Sequence, residues 1–562
     1  MKIRLGLRKE KMAQSYRYRR FFCLSVVSLF AALLIAASFA QEPARRGNSE
    51  TGASTGVASF RARVEQILAA PEPGRGYWGM LVEDTDTGEV LFSLNSDKYF
   101  LPASNAKLFT AALALATLGP DFRFRTTIET RAPLNSEGLL QGDLILVGRG
   151  DPNLSNRVFP FVKKTERDGP PERALAELAD AVVARGVKQI SGDIVADNSY
   201  LAGGTYPSGW AIDDMLWNYG VPVSALQIND GILLIELTPG RVAGSPATFT
   251  AIPLTDIYRV HNEVNTAARG SVQKLSVERE PGSSEIFLRG SMPLDAPPHS
   301  MGLAIDRPAE FASALLKSLL EVRGVTISGR ARAVHAGDPG AYYGAVPMPT
   351  ASDTIPVASP AAAAATVPGA TVLAEHISPS LSDDLRVMLK TSQNLHAEML
   401  LRVAARAKSG DSSEDTALQF EEDFRKGLGL SDADVVMTDA SGLSRKDMVT
   451  PQSEVTLLRW AAQQPWAEIF RSALPLAGED GTLMDRMKGT PAAGHVWAKT
   501  GSLSHVDSLA GYATSSRGEH LVFSFLGNNH NLKSKAATDV LDSLAVVMVE
   551  ELGNARCCPG HK

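Results

Sequence analysis

A serine and a lysine three residues apart, Ser104-Asn105-Ala106-Lys107, open an Ala/Leu-rich stretch that runs to Leu118. At helical spacing both side chains leave the same face, so the Lys107 amine reaches the Ser104 hydroxyl and can take its proton. An ordinary lysine is protonated near neutrality and becomes a base only when burial or a neighbouring cation lowers its pKa. The apolar stretch supplies burial, and a helix N-terminus favours negative charge developing on the serine oxygen. Ser392-Gln393-Asn394 adds a second hydroxyl and a carboxamide. Lys499-Thr500-Gly501 adds a cation and a hydroxyl beside a glycine, a set suited to gripping a carboxylate while a substrate backbone comes close. The first two spacings recur at Ser271-Val272-Gln273-Lys274 and Ser93-Leu94-Asn95, so neither is specific alone, whereas Lys-Thr-Gly occurs once. The three together, in this order, point to nucleophilic catalysis by Ser104.

These groups need a scaffold that brings distant segments together. Strand-like runs at Tyr77–Val82 and Glu89–Leu94 flank Asp84-Thr85-Asp86-Thr87-Gly88, whose Asp and Gly content suits a hairpin turn. The pattern predicts a buried helix from Asn105 to Leu118, stopped by Gly119-Pro120. Late in the chain, helical patterns at Leu381–Ala407 and Thr450–Leu474 precede strand-like runs at His495–Thr500, Ser508–Ala513 and His520–Leu526 and a last amphipathic helix near Ala536–Leu552. The early hairpin and the three late strands would form a five-stranded antiparallel sheet covered by helices, an α/β (α+β) domain made from residues 57–125 and 376–555. Between them, residues 126–345 alternate short β-rich runs and read as two inserted smaller domains. Within this region Arg185-Gly186-Val187 followed by Ile190-Ser191-Gly192 recurs as Arg323-Gly324-Val325 followed by Ile327-Ser328-Gly329, which hints at a duplicated helix-turn-strand unit. Residues 346–375, rich in Pro and Ala, read as an extended connector.

Residues 1–20 carry eight Lys/Arg against Glu10 alone, and an apolar run from Phe21 to Ala37 ends at Ser38-Phe39-Ala40. This is a secretory signal pattern, so residues 1–40 are expected to be removed and the protein exported to the periplasm or the extracellular wall space. Loss of the +7 carried by those residues takes the net charge from −6 to −13, which disfavours nucleic acid as a partner. Of the three cysteines, Cys23 leaves with the signal and Cys557 and Cys558 are adjacent, so neither a disulfide framework nor a cysteine metal site is expected. No further apolar run has membrane-span length, leaving at most peripheral membrane association. The ten histidines contain no His-Glu-x-x-His pattern, so neither metal nor cofactor is called for. His299-Ser300-Met301-Gly302 follows Pro297-Pro298, where no strand can lead into a nucleophile elbow. His396 reads as a packing or surface residue.

With these motifs the sequence resembles the serine DD-peptidase/β-lactamase superfamily. Within it the nearest resemblance is to the class C low-molecular-mass penicillin-binding proteins, D-alanyl-D-alanine carboxypeptidases/endopeptidases of the penicillin-binding protein 4 type. Segments similar to that family include Gly150-Asp151-Pro152-Asn153-Leu154, Gly192 through Asp197, Asp439-Ala440-Ser441-Gly442-Leu443-Ser444-Arg445 and Ala477 through Leu483. The 288 residues separating Ser104 from Ser392 fit the inserted domains of that family. The resemblance implies an acyl-enzyme on Ser104 with Lys107 as base and Ser392 relaying a proton to the leaving amine. Asn394 would hold the substrate amide, Lys499 and Thr500 beside Gly501 the terminal carboxylate, and the backbone N–H groups of Ser104 and Ser502 the oxyanion. Asp197 would contact the diaminopimelate amine of the stem peptide. Peptidoglycan peptides are the implied substrates and β-lactam antibiotics the implied covalent inhibitors. A homodimer stays open, as do a β-lactamase or esterase on the same fold and a non-catalytic peptidoglycan-binding protein.

Overall fold

The computed structural model describes residues 55–161, 166–253, 255–343 and 369–552. The export segment at 1–40, Cys557 and Cys558, and residues 346–368 of the expected connector lie outside the described residues. Helix α1 (Thr55–Leu68) precedes the hairpin of β1 (Tyr77–Asp84) and β2 (Val90–Leu94). The turn closes because the Asp84 carboxylate accepts from the Asp86 and Thr87 N–H groups at 3.0 and 2.7 Å. A short 3-10 turn, Ala103–Ala106, then leads into α2 (Lys107–Leu118). Leu108, Ala111, Ala112, Leu113 and Ala114 on this helix are completely buried, as an apolar helix without a polar face requires.

The chain then builds the inserted region. Strands β3 (Arg125–Thr130), β4 (Leu144–Val147), β5 (Ile194–Asp197), β6 (Ala331–Val334) and β7 (Thr371–Ile377) form a sheet in the order β6-β5-β4-β3-β7. Its β6-β5 and β5-β4 pairs are parallel and the other two antiparallel. Helices α3 (Arg173–Ala184) and α4 (Pro308–Val322) each feed a two-residue strand and then β5 or β6. The two copies lie side by side, Gln189 opposite Thr326 and Ile194 opposite Ala331, so the sequence repeat corresponds to a structural one. Two three-stranded sheets within residues 232–304 complete the region. The connector expected to reach residue 375 gives way to β7 from Thr371, because Thr371 and Val372 are β-branched residues that pair with β3.

The late segments return to the first sheet. Helices α5 (Leu381–Lys390), α6 (Asn394–Ser409), α7 (Glu414–Gly427), α8 (Pro451–Ala462) and α9 (Ala467–Ala473) are followed by β8 (Val496–Leu503), β9 (Val506–Thr514), β10 (His520–Asn528) and α10 (Ser534–Glu551). The sheet order is β2-β1-β10-β9-β8, antiparallel throughout. Alternation along its strands sorts two cores. Met80, Val82, Phe523 and Phe525 pack with α1 and α10, while Leu81, Val522 and Leu526 face the helical layer holding α2, α5, α6 and α8. Each such fully buried side chain contributes about 2 kcal/mol of hydrophobic stabilisation. The helical pattern over Leu381–Ala407 is interrupted between α5 and α6, where Ser392 takes a left-handed φ of 60°. No helix among the described residues is long and apolar enough to cross a membrane.

Candidate active site

Ser104 sits on the tight turn ahead of α2, pinched between two glycines. A Cβ on Gly442 would lie 1.7 Å from the Ala103 carbonyl oxygen, and one on Gly501 would lie 2.7 Å from that of Pro102 and 2.9 Å from the Ser104 nitrogen. Glycine is therefore required at both positions for the loop after Asp439 and strand β8 to close on the turn. Ser508 on β9 secures it by donating to the Pro102 carbonyl at 2.8 Å.

Lys107, one helical turn on, is completely buried. Its Nζ donates to Ser104 Oγ at 2.9 Å, to Asn394 Oδ1 at 2.7 Å and to the Ser441 carbonyl at 2.6 Å. Three acceptors match the three donors of an ammonium; loss of one proton leaves a lone pair that can accept from a partner hydroxyl. Burial lowers the Lys107 amine to about 7, against the opposing pull of Asp439, Glu398 and Asp447. The lysine thus titrates in the range where it can both take and return a proton.

Ser392, at the turn between α5 and α6, faces Lys499 of β8, whose Nζ donates to Ser392 Oγ at 3.0 Å. Lys499 is completely buried, and burial together with the Lys107 charge holds its amine well below the usual lysine range. Asn394 opens α6 and donates through Nδ2 to the Tyr219 carbonyl at 2.8 Å, so with Lys107 on Oδ1 it keeps one N–H and one lone pair for a substrate amide. The Thr500 hydroxyl pairs with that of Thr482 at 2.8 Å, and Ser502 Oγ donates to Asp507 Oδ1 at 2.7 Å. Ser104, Ser392, Asn394 and Ser502 line one cleft of about 380 Å³, walled also by Asp213, Asp214, Tyr219, Gly442, Leu443 and Arg445.

Asp197 is not part of this cleft. It ends β5 with 1% exposure, and its carboxylate accepts from the Ser199 N–H and hydroxyl and from the Tyr342 N–H. The carboxylates that do line the cleft are Asp213 and Asp214, on an inserted loop without periodicity to mark it. Opposite them Arg445 donates to the Ser504 carbonyl at 3.3 Å. Arg445 ends the Asp439–Arg445 segment. Within that segment Asp439 folds the loop by accepting from Gly442 N, Ser444 N and the Trp210 indole at 2.7, 2.9 and 2.8 Å. Of the packing and surface readings of His396 the structure gives the packed one, with charged neighbours: it is completely buried between Asp384 and Asp230.

A family model described as D-Ala-D-Ala carboxypeptidase 3 (S13) family matches residues 60–345 and 351–549. The chain is 35% identical over 509 residues to a D-alanyl-D-alanine carboxypeptidase of Actinomadura sp. (strain R39), covering 89% of this chain and 86% of the relative. It is 25% identical to the D-alanyl-D-alanine carboxypeptidase DacB of Haemophilus influenzae, over 79% of this chain and 84% of that one. Among solved structures, penicillin binding protein 4 (dacB) from Haemophilus influenzae superposes with a TM-score of 0.69 at 23% identity. The match covers 86% of this chain and 97% of that one, and shows a common fold.

Proposed function

The chain belongs to the D-Ala-D-Ala carboxypeptidase 3 (S13) family, and on that premise we propose that it hydrolyses the bond between two D-alanines of peptidoglycan peptides through an acyl-enzyme on Ser104. The observation that carries this reading is the pairing of each serine with a buried lysine, Ser104 with Lys107 at 2.9 Å and Ser392 with Lys499 at 3.0 Å, on the wall of one cleft.

Neutral Lys107 removes the proton as Ser104 Oγ attacks the carbonyl carbon. The developing oxyanion is held by the Ser104 and Ser502 N–H groups, at about 3 kcal/mol for each donor. Collapse of the tetrahedral intermediate breaks the C–N bond, and Ser392 passes a proton to the departing amine, the proton that Lys107 took from Ser104 replacing it. Lys499 and Thr500 take the C-terminal carboxylate, and the free N–H and lone pair of Asn394 take the peptide amide. Water then attacks the ester, Lys107 taking its proton and passing it to Ser104 Oγ as the acyl C–O bond breaks, and the peptide leaves with Ser104 restored.

The same acyl transfer acts on a terminal D-alanine and on a cross-link whose acceptor side ends in a D-residue carboxylate, so carboxypeptidase and endopeptidase activity share one site. A β-lactam, which presents an acylating carbonyl beside a carboxylate, would acylate Ser104. Both substrates lie outside the cytoplasmic membrane, in keeping with the export signal. The test is incubation with a pentapeptide ending in D-Ala-D-Ala and with a fluorescent penicillin. Wild type should release D-alanine and carry the label, and Ser104→Ala should do neither. Rapid loss of label with hydrolysed antibiotic and no D-alanine would instead make the protein a β-lactamase.

A further inference from the structure

Behind the second motif lies a buried ionic cluster that this chemistry does not use. Asp230, contributed by the inserted region, is completely buried. Its carboxylate accepts from Arg157 Nη2 and from Arg157 Nε, which lies 3.1 Å from Oδ2. It accepts also from Arg167 Nη2 at 2.6 Å and from Gln393 Nε2 at 3.2 Å, and His396 Nε2 lies 3.6 Å from Oδ1. His396 in turn contacts Asp384 of α5 through Nδ1 at 2.7 Å. Burial alone would push the Asp230 carboxyl up, but the Arg157 and Arg167 guanidinium groups hold it well below the usual range, so it is a fixed anion.

The backbone is unusual on both sides of this contact. Asn229, Asp230 and Gly231 adopt left-handed φ of 56, 55 and 69° in succession, and Ser392 adopts 60°. Such conformations persist only where surrounding contacts over-determine them. Gln393, the middle residue of Ser-Gln-Asn, is the link. Its Oε1 caps α6 by accepting from Leu395 N at 3.3 Å while its Nε2 reaches Asp230. Tyr219, also of the inserted region, holds Asn394 through its carbonyl.

We infer that Asp230 and Gln393 are positioning residues, through which the inserted region holds Ser392 against Lys499 and Asn394 against Lys107. The inference rests on the acyl-enzyme reading of Ser104. Gln393 is the informative position, because it is uncharged and its replacement leaves the Arg157–Asp230–Arg167 cluster intact. In the mature enzyme Gln393→Met should lower kcat on the D-Ala-D-Ala peptide by about 10- to 100-fold, the penalty of a displaced catalytic group. KM should stay within a factor of about two, and the melting temperature should fall by no more than a few degrees, the cost of the lost α6 cap. Asp230→Leu, which leaves Gln393 no acceptor, should lower kcat similarly. The double variant should be no slower than the worse single one, since both break one link. If Asp230→Leu does not fold, Gln393→Met decides alone. Wild-type kcat in Gln393→Met, a change confined to KM, or losses that multiply in the double variant would overturn the inference. A wild type that takes no penicillin label would instead overturn the acyl-enzyme reading itself.

Discussion

The helical wall and the sheet wall of the cleft each present a buried lysine to a serine hydroxyl, at nearly the same distance, and yet they are electrostatic opposites. On the helical side Lys107 has Asp439, Glu398 and Asp447 behind it, so its amine settles at about 7 under burial partly offset by carboxylates. On the sheet side Lys499 meets burial and one more cation, and no carboxylate offsets them. In the mechanism proposed above the helical wall is complete as built: its lysine would exchange a proton with Ser104 without needing anything from the ligand. The sheet wall lacks a negative charge, which in the same mechanism a substrate carboxylate would supply. Catalytic base and recognition site differ here in what stands behind the amine rather than in the amine itself.

The contrast breaks first at the base. Lys107→Met should slow acylation by a penicillin by about a thousand-fold or more, the scale of a lost general base. It should also leave the melting temperature the same or higher, because no buried amine remains to be desolvated. Retained acylation would mean that Ser104 finds its base elsewhere. Lys499→Met should cost less, about a hundred-fold in acylation efficiency for ligands bearing the carboxylate, as expected for a lost charge-assisted hydrogen-bond partner. It should cost little for ligands whose carboxylate is replaced by an amide. Equal losses on both ligand types would show that Lys499 serves proton transfer as much as anion recognition.

How far the sequence carries such a comparison depends on what kind of contact is involved. The first sheet is legible because its turn and its alternating strands leave a period-two pattern, Met80 and Val82 to one side and Leu81 to the other. The inserted sheet is less so. Its strands β4 and β5 are four residues long and buried on both faces, which removes alternation, and its two helices weaken a purely β-rich reading. In the site, Ser104, Lys107, Ser392, Asn394 and Lys499 are legible as side-chain types at fixed spacing. The Ser441 and Tyr219 carbonyls that hold Lys107 and Asn394 are not, since any residue type offers a carbonyl. Gln393 and Asp230 meet across 163 residues of chain, and nothing local announces the contact. Asp197 illustrates the converse, a recognisable segment whose carboxylate is turned back by its own neighbour Ser199.

Titration sharpens the contrast further. Because the proposed base is neutral Lys107, the acylation rate should rise with pH through about 7 and level off above it. Glu398 is pushed up to about 8 by burial and by Asp439, so only its minor ionised fraction contributes to the pull on Lys107 where the lysine titrates. Glu398→Gln should therefore leave that limb within about half a pH unit of wild type, well inside the scale of a full charge placed nearby. A larger move toward acid, measured by stopped-flow acylation across pH 5–9, would mean that Glu398 is ionised when the lysine works.

The mildest test concerns a buried acid that touches the nucleophile's turn without facing either amine. Glu454 on α8 accepts from Ser524 Oγ at 2.6 Å and from Asn105 Nδ2 at 3.3 Å, directly beneath the Ser104 turn. Burial raises its carboxyl to about 7, moderated by those two donors. Its folded-state value exceeds the unfolded value of about 4.3. The stability it contributes is therefore full below that pH and drains away as pH rises through about 7. Glu454→Gln keeps an acceptor oxygen and cannot ionise. The melting temperature of the variant should vary less between pH 5 and 8 than that of wild type, while the acylation limb near pH 7 stays in place. A limb that moved with Glu454 would extend the charges acting on Lys107 beyond Asp439, Glu398 and Asp447, and the helical wall would then be set from beneath α2 as well as from the loop beside it.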